Sequence, residues 1–272
     1  FWSSLWEFLD VKSSKPCERA LAKREMPGAE WFPGAELNYA EHVFRNAGER
    51  LDEPALVHKS ETRPLSETSW AQLREQVAAL SAALSEMGVE RGDRVVAYLP
   101  NVPEAVVAFL ACASLGAVWS SGSPDFGAGS IVDRFKQIEP TVIFAVDGYF
   151  YGGKGFDRRD TLLEILQALP SVKAVIFVDN LEAGASLDVS TLDRSVQVLP
   201  WQSALDMHKE AKPHYLPVEF NTPLWIVYSS GTTGMPKPIV HSHGGTVIEG
   251  IKGTGIHLDV GPQDRFYWFS ST

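Results

Sequence analysis

From about residue 55 the hydrophobic positions of this chain follow two alternating rhythms. Short continuous apolar runs, such as Val142-Ile143-Phe144-Ala145-Val146, predict strands buried on both faces. Between them lie stretches whose apolar residues recur at helical spacing. Ser69 is placed to cap a helix over 70–87 that Gly88 stops, and Pro103–Leu115 predicts a second helix closed by Gly116. In 130–138 the residues Ile131, Phe135 and Ile138 share one face, and 161–169 predicts a further helix. Strands are predicted over 94–99, 117–121, 141–146, Ala174–Val178, 224–228 and 266–269. Strands separated by helices indicate parallel βαβ units, so the expected fold class is α/β with a parallel sheet.

Two stretches break the rhythm. Residues 1–50 are punctuated by aromatics and prolines and predict irregular structure. Residues 181–220 read as a polar insert carrying Pro200, Pro213 and Pro217. Internal repeats, low-complexity segments and flexible Gly/Ser linkers are absent from the sequence.

Composition then excludes whole classes of function. Apolar residues make up 44% of the 272 positions, enough for a packed core. The net charge of −10, with no basic stripe, argues against nucleic-acid binding, which depends on cations that displace counterions. The longest apolar stretch, 105–119, is interrupted by Ser114 and Gly116 and is too short to span a bilayer, so no membrane partner is expected. The two cysteines, Cys17 and Cys112, form no disulfide framework and no zinc spacing, which fits a reducing cytosol. The opening Phe1-Trp2-Ser3-Ser4 lacks Met and a basic n-region, so it reads as neither a signal peptide nor a natural start.

The chemistry is concentrated in Tyr228-Ser229-Ser230-Gly231-Thr232-Thr233-Gly234-Met235-Pro236-Lys237, directly after the predicted strand 224–228. Glycines let backbone N–H groups converge on an anion, the hydroxyls of Ser229, Ser230, Thr232 and Thr233 add donors, and Lys237 adds a point charge. This composition predicts a phosphate-holding loop. It is not the loop of P-loop NTPases, whose G-x-x-x-x-G-K-[ST] spacing occurs nowhere in the chain.

The stretch resembles the phosphate-binding signature of the acyl-adenylate-forming superfamily. Further segments are similar to its short-chain acyl-CoA synthetases: Trp31-Phe32-Pro33-Gly34-Ala35-Glu36-Leu37-Asn38-Tyr39, Ser123-Pro124-Asp125-Phe126-Gly127, Asp147-Gly148-Tyr149-Phe150-Tyr151-Gly152-Gly153-Lys154 and Trp268-Phe269-Ser270-Ser271-Thr272. The last three look most like the acetoacetate-activating branch. Acetyl-, propionyl- or butyryl-CoA formation, and a non-catalytic nucleotide-binding fragment, stay open as alternatives.

That resemblance implies adenylation of a small acid by ATP, then transfer to coenzyme A. It implies that Ser229, Ser230, Gly231, Thr232, Thr233, Gly234 and Lys237 hold ATP phosphates, with Thr232, Thr233 and Lys237 on the β- and γ-phosphates. Tyr151, Gly152, Gly153 and Lys154 would take coenzyme A, with Tyr151 where acetyl-CoA relatives usually carry Arg. Trp268, Ser270, Ser271 and Thr272 would approach the acyl pocket. The partners implied are small molecules: acetoacetate, ATP and coenzyme A. Mg²⁺ would bridge phosphates rather than occupy a protein cage, and no metal site is expected among these residues. The family's catalytic lysine, mobile lid domain and magnesium carboxylate would lie downstream, so the chain reads as an N-terminal fragment, inactive alone. It divides into a segment over 1–50, in which Trp31, Phe32, Asn38 and Tyr39 strap the large domain, and the first part of an adenylating domain over 51–272.

His241 and His243 would share a face if both sat on a strand, but no third ligand follows, and packing or bracing of the loop is the better reading. Cys112 reads as core rather than nucleophile.

Overall fold

The structure is a computed structural model and describes residues 1–229 and 234–268. Its first part is not as irregular as aromatic and proline punctuation suggested. It forms α1 (Trp2–Phe8), the short strands β1 (Leu21–Lys23), β2 (Glu30–Trp31) and β3 (Glu36–Leu37), and α2 (Tyr39–Arg45). Asn38 caps α2 by accepting from Ala40 N at 2.9 Å. Its amide also donates to Ala113 O at 2.8 Å and Leu216 O at 2.9 Å. A buried side chain thereby ties this segment to the body of the fold. Trp6 stacks on Phe32 at 4.7 Å, and Phe32 lies 4.8 Å from Phe220.

Next come the hairpin β4 (Pro54–His58) and β5 (Ser66–Ser69), then α3 (Trp70–Glu86), β6 (Arg94–Tyr98), α4 (Pro103–Leu115), β7 (Val118–Gly122), α5 (Ala128–Phe135) and β8 (Val142–Val146). Ser69 begins α3 with a reciprocal capping box: its hydroxyl accepts from Gln72 N, and its own N–H donates to Gln72 Oε1. Gly116 ends α4 at φ 70°, and a Cβ there would meet Val218 Cγ1 at 2.9 Å, so both conformation and space require glycine. A second hairpin, β9 (Gly148–Tyr151) and β10 (Lys154–Asp157), precedes α6 (Arg159–Ala168) and β11 (Ala174–Val178).

The stretch 181–220 is more ordered than its polar composition predicts. It contains β12 (Gln197–Pro200), α7 (Trp201–Asp206) and β13 (Val218–Glu219). These elements are short, and β12 gains its order by pairing with β11, a contact that residue patterning does not encode. The chain continues through β14 (Pro223–Ser229), β15 (Lys237–Ser242) and α8 (His243–Ile251).

Seven strands form the main sheet in the order β12-β11-β8-β6-β7-β14-β15, all parallel except the antiparallel pair β14–β15. Alternate residues enter two cores. Val95, Ala97, Phe144 and Ile176 pack with α3, α4 and α7, whereas Val96, Tyr98, Ile143 and Val175 pack with α5 and α6. Covered faces explain the continuous apolar runs. The strand expected over 266–269 is not seen: Phe266, Tyr267 and Trp268 are exposed coil, and Phe269 lies outside the described residues. Aromatic content favours a strand only where a ladder partner accepts it, and these residues have none in the sheets described.

Candidate active site

The C-terminal ends of parallel strands, where the direction of winding reverses, form the usual ligand crevice of an open α/β sheet. Here β7 lies on one side of β6 and β8 on the other, so the reversal falls at β6. The segments that follow β7 and β8 leave the sheet at this end, β14 ends there, and β15, being antiparallel, begins there.

The glycine- and hydroxyl-rich sequence predicted to hold phosphate lies between β14 and β15. Ser229 and Lys237 are register partners at the end of the β14–β15 pair. Lys237 is exposed. Gly234 has φ 142°, a conformation L side chains rarely adopt. Ser230, Gly231, Thr232 and Thr233 lie outside the described residues.

α5 and the turn after it brace the end of β14 and the residue before β15. Tyr228 donates its hydroxyl to Arg134 O at 2.7 Å, and Gln137 Nε2 donates to Pro236 O at 3.0 Å. Burial pushes the Tyr228 phenol up to about 12, so it stays a donor at neutral pH. Arg134 also lies 5.2 Å above the Phe126 ring. The loop carrying Phe126 is held from β6, where the Tyr98 hydroxyl lies 2.9 Å from Pro124 O and 2.8 Å from Phe126 O.

Tyr151, Gly152, Gly153 and Lys154 form the tip of the β9–β10 hairpin, with Tyr151 opposite Lys154. Gly152 and Gly153 have φ 60° and 74°, the left-handed pair that a two-residue hairpin turn requires. Tyr149 and Phe156 stack at 5.2 Å under the Arg158 guanidinium. Gly148 permits the tight crossing, since a Cβ there would lie 2.2 Å from Phe156 O. Buried Asp147 accepts from the N–H groups of Asn180, Leu181 and Glu182, each at 2.8 Å, and so fixes the loop beside the hairpin.

Three contributors had no sequence signal for the contacts they make: Gln137, Asp147 as a loop anchor, and Glu61. The Glu61 carboxylate accepts from Gly152 N and Gly153 N, both at 2.8 Å. Their partners lie far away in sequence, so only folding brings them together.

The two histidines do not share a strand face. His241 is on β15 and meets Trp225 edge-on at 6.0 Å, whereas His243 opens α8. The Ser242 hydroxyl caps that helix, which ends the strand between them. His243 is fully buried; its Nδ1 accepts from Tyr39 N at 3.2 Å, and burial pushes its pKa down to about 4. Among the described residues no group of three His, Cys, Asp or Glu side chains could hold a metal ion. Cys112 is fully buried, and burial pushes its thiol pKa up. Trp268 is exposed; Ser270, Ser271 and Thr272 lie outside the described residues. Among the described residues no helix is long and apolar enough to cross a membrane.

The family described as AMP-binding enzyme matches residues 43–272. This chain belongs to the AMP-binding enzyme family. Residues 1–43 match the family described as acetyl-coenzyme A synthetase N-terminus. Among similar curated proteins, acetoacetyl-CoA synthetase of Danio rerio is 38% identical over 278 residues, covering 100% of this chain and 41% of that protein. Acetoacetyl-coenzyme A synthetase of Rhizobium meliloti is 35% identical over 273 residues, covering 100% of this chain and 40% of that protein. The solved structure of acetoacetyl-CoA synthetase from Streptomyces lividans superposes with a TM-score of 0.93 at 51% identity, over 100% of this chain and 40% of that one. The chain therefore spans about 40% of the length of these AMP-binding relatives.

Proposed function

We propose that the protein carrying this chain is an acetoacetate–CoA ligase, with residues 51–272 as the first part of its adenylating domain and residues 1–50 as a strap packed on it. The observation that supports this reading best is likeness along the whole chain to acetoacetyl-CoA synthetases, at 51% identity to the Streptomyces lividans structure. In the first half-reaction a carboxylate oxygen of acetoacetate attacks the α-phosphorus of ATP and pyrophosphate leaves. In the second the coenzyme A sulfur attacks the acyl carbon and AMP leaves.

Charge on the departing phosphates is the main electrostatic demand of the first step. Thr232, Thr233 and Lys237 meet the β- and γ-phosphates, and Ser229, Ser230, Gly231 and Gly234 shape the loop around them. Tyr151, Gly152, Gly153 and Lys154 take coenzyme A; Trp268, Ser270, Ser271 and Thr272 flank the acyl pocket. Mg²⁺, carried on the ATP phosphates, would neutralise their charge; the described residues hold no group of three His, Cys, Asp or Glu for it. The setting is the cytosol.

The test is coenzyme-A-dependent AMP formation by the full-length enzyme, with acetoacetate and acetate offered in parallel at equal concentration. Preference for acetoacetate supports the reading. Preference for acetate moves the chain to another short-chain acyl-CoA synthetase, and ATP turnover with neither acid removes the ligase assignment. Lys237→Ala is expected to slow acid-dependent ATP–pyrophosphate exchange by about tenfold, within the ~1–3 kcal/mol of a lost charged hydrogen bond.

A further inference from the structure

A two-stranded ribbon is marginally stable alone and needs packing or anchoring to hold its tip in place. The β9–β10 hairpin is packed at its base by the Tyr149–Phe156 stack, but its tip is exposed, with Tyr151 73% accessible. The tip is held by the turn between β4 and β5. Glu61 in that turn presents one carboxylate oxygen to Gly152 N–H and the other to Gly153 N–H, both at 2.8 Å. A carboxylate has two acceptor oxygens and no donor, so it matches two adjacent N–H groups and makes charge-assisted bonds with both.

The Glu61 turn is itself fixed. Ser60 Oγ accepts from Arg63 N at 2.9 Å, and Ser60 N donates to Arg63 O at 3.1 Å. The Arg63 guanidinium grips the Glu104 carboxylate at 2.8 and 3.0 Å, in the first turn of α4. A chain of contacts thus runs from a core helix to the exposed tip: α4, Glu104, Arg63, the Ser60–Arg63 turn that carries Glu61, and Gly152 and Gly153.

We infer that Glu61 is a positioning residue for the thioester-forming half-reaction, holding the turn so that Tyr151 and Lys154 stand ready for coenzyme A. This rests on the coenzyme-A reading of the hairpin above. A carboxylate that merely filled a phosphate site until displaced would not need its own backbone tied to α4. The Arg63–Glu104 pair is what a strut requires.

The two half-reactions separate the outcomes in the full-length enzyme. Acid-dependent ATP–pyrophosphate exchange needs no coenzyme A, so Glu61→Ala should leave it unchanged. The same variant should raise the KM for coenzyme A about tenfold with little change in kcat, as expected for loss of charge-assisted hydrogen bonds that only position. Glu61→Gln, which keeps one acceptor, should fall between. Arg63→Ala should shift KM in the same direction by less. Amide exchange at Gly152 and Gly153 should quicken in Glu61→Ala.

Lys154→Ala reports on the underlying reading. If it raises the KM for coenzyme A while Glu61→Ala does not, the hairpin binds the coenzyme and the strut is wrong. A fall in KM for Glu61→Ala overturns the strut in favour of a competing anion. If neither variant moves KM, the coenzyme-A reading of the hairpin has failed and the inference goes with it.

Discussion

The two sides of the main sheet are built differently. On one side β8 and β11 are five-residue strands with every position buried, covered by α3, α4 and α7 on one face and α5 and α6 on the other. On the other side β15 is exposed along most of its length, with Ile239 46% and Val240 55% accessible. The first side is held by apolar burial, which is strong but non-directional. The second adds individual polar contacts to the burial of Leu224 and Ile226: Ser120 Oγ to Ile226 O at 2.7 Å, the Tyr228 hydroxyl to Arg134 O, and Gln137 to Pro236 O. The strands that flank the glycine- and hydroxyl-rich sequence lie on this second side. Burial supplies stability, and directional bonds hold the residues that flank that sequence, so substitutions on the two sides should have separable effects.

The largest expected effect is on the buried side. Phe144 on β8 is fully buried, and Phe144→Ala should cost about 3–5 kcal/mol of stability, read as a lower denaturant midpoint. A cost near that of a surface substitution would mean that β8 does not carry the core.

Acidification should come next. Burial holds His243 at about 4 against an ordinary value of 6.5, so the folded state prefers it neutral. Its contribution is fully present above 6.5 and is lost as pH falls toward 4, by about 3 kcal/mol in total from 1.36 kcal/mol per unit. His42 is depressed in the same direction, also by burial, and adds to the loss. Thermal midpoints measured from neutral pH downward should fall more steeply for the parent chain than for His243→Gln, which cannot titrate. Equal slopes would remove His243 from the account.

Smaller effects belong to the loop side. Tyr228→Phe deletes one hydroxyl brace and should cost about 1 kcal/mol. On the proposed ligase reading its signature is slower ATP–pyrophosphate exchange in the full-length enzyme, with a fall in denaturant midpoint no larger than that cost; a fall several times larger would make Tyr228 a packing residue instead. Smallest of all, Val240→Ala on exposed β15 should stay within about 0.5 kcal/mol in this chain. A large loss there would erase the contrast between the two sides.

Periodicity located the interior elements well because their causes are local. The capping box at Ser69 and Gln72, the glycine after α4 and the apolar runs of β8 and β11 each lie within a few neighbouring residues. The same logic failed at Phe266, Tyr267 and Trp268, where aromatic content suggested a strand that no described ladder accepts, and for 181–220, where polarity hid β12 and α7. Spacing gave His241 and His243 a shared face only if both sat on one strand, and a helix begins between them.

Residue order alone was enough for the α/β class, for most helices and strands of the sheet, and for a glycine- and hydroxyl-rich loop following a strand. Folding was needed to set the order β12-β11-β8-β6-β7-β14-β15, to place Ser229 opposite Lys237 and to bring Glu61 to Gly152 across 91 positions. The reason is physical. Helix caps and apolar runs are satisfied by near neighbours and leave a repeating trace in the chain. A hydrogen bond between distant segments leaves none, and forms only once burial of the intervening core has brought its partners together.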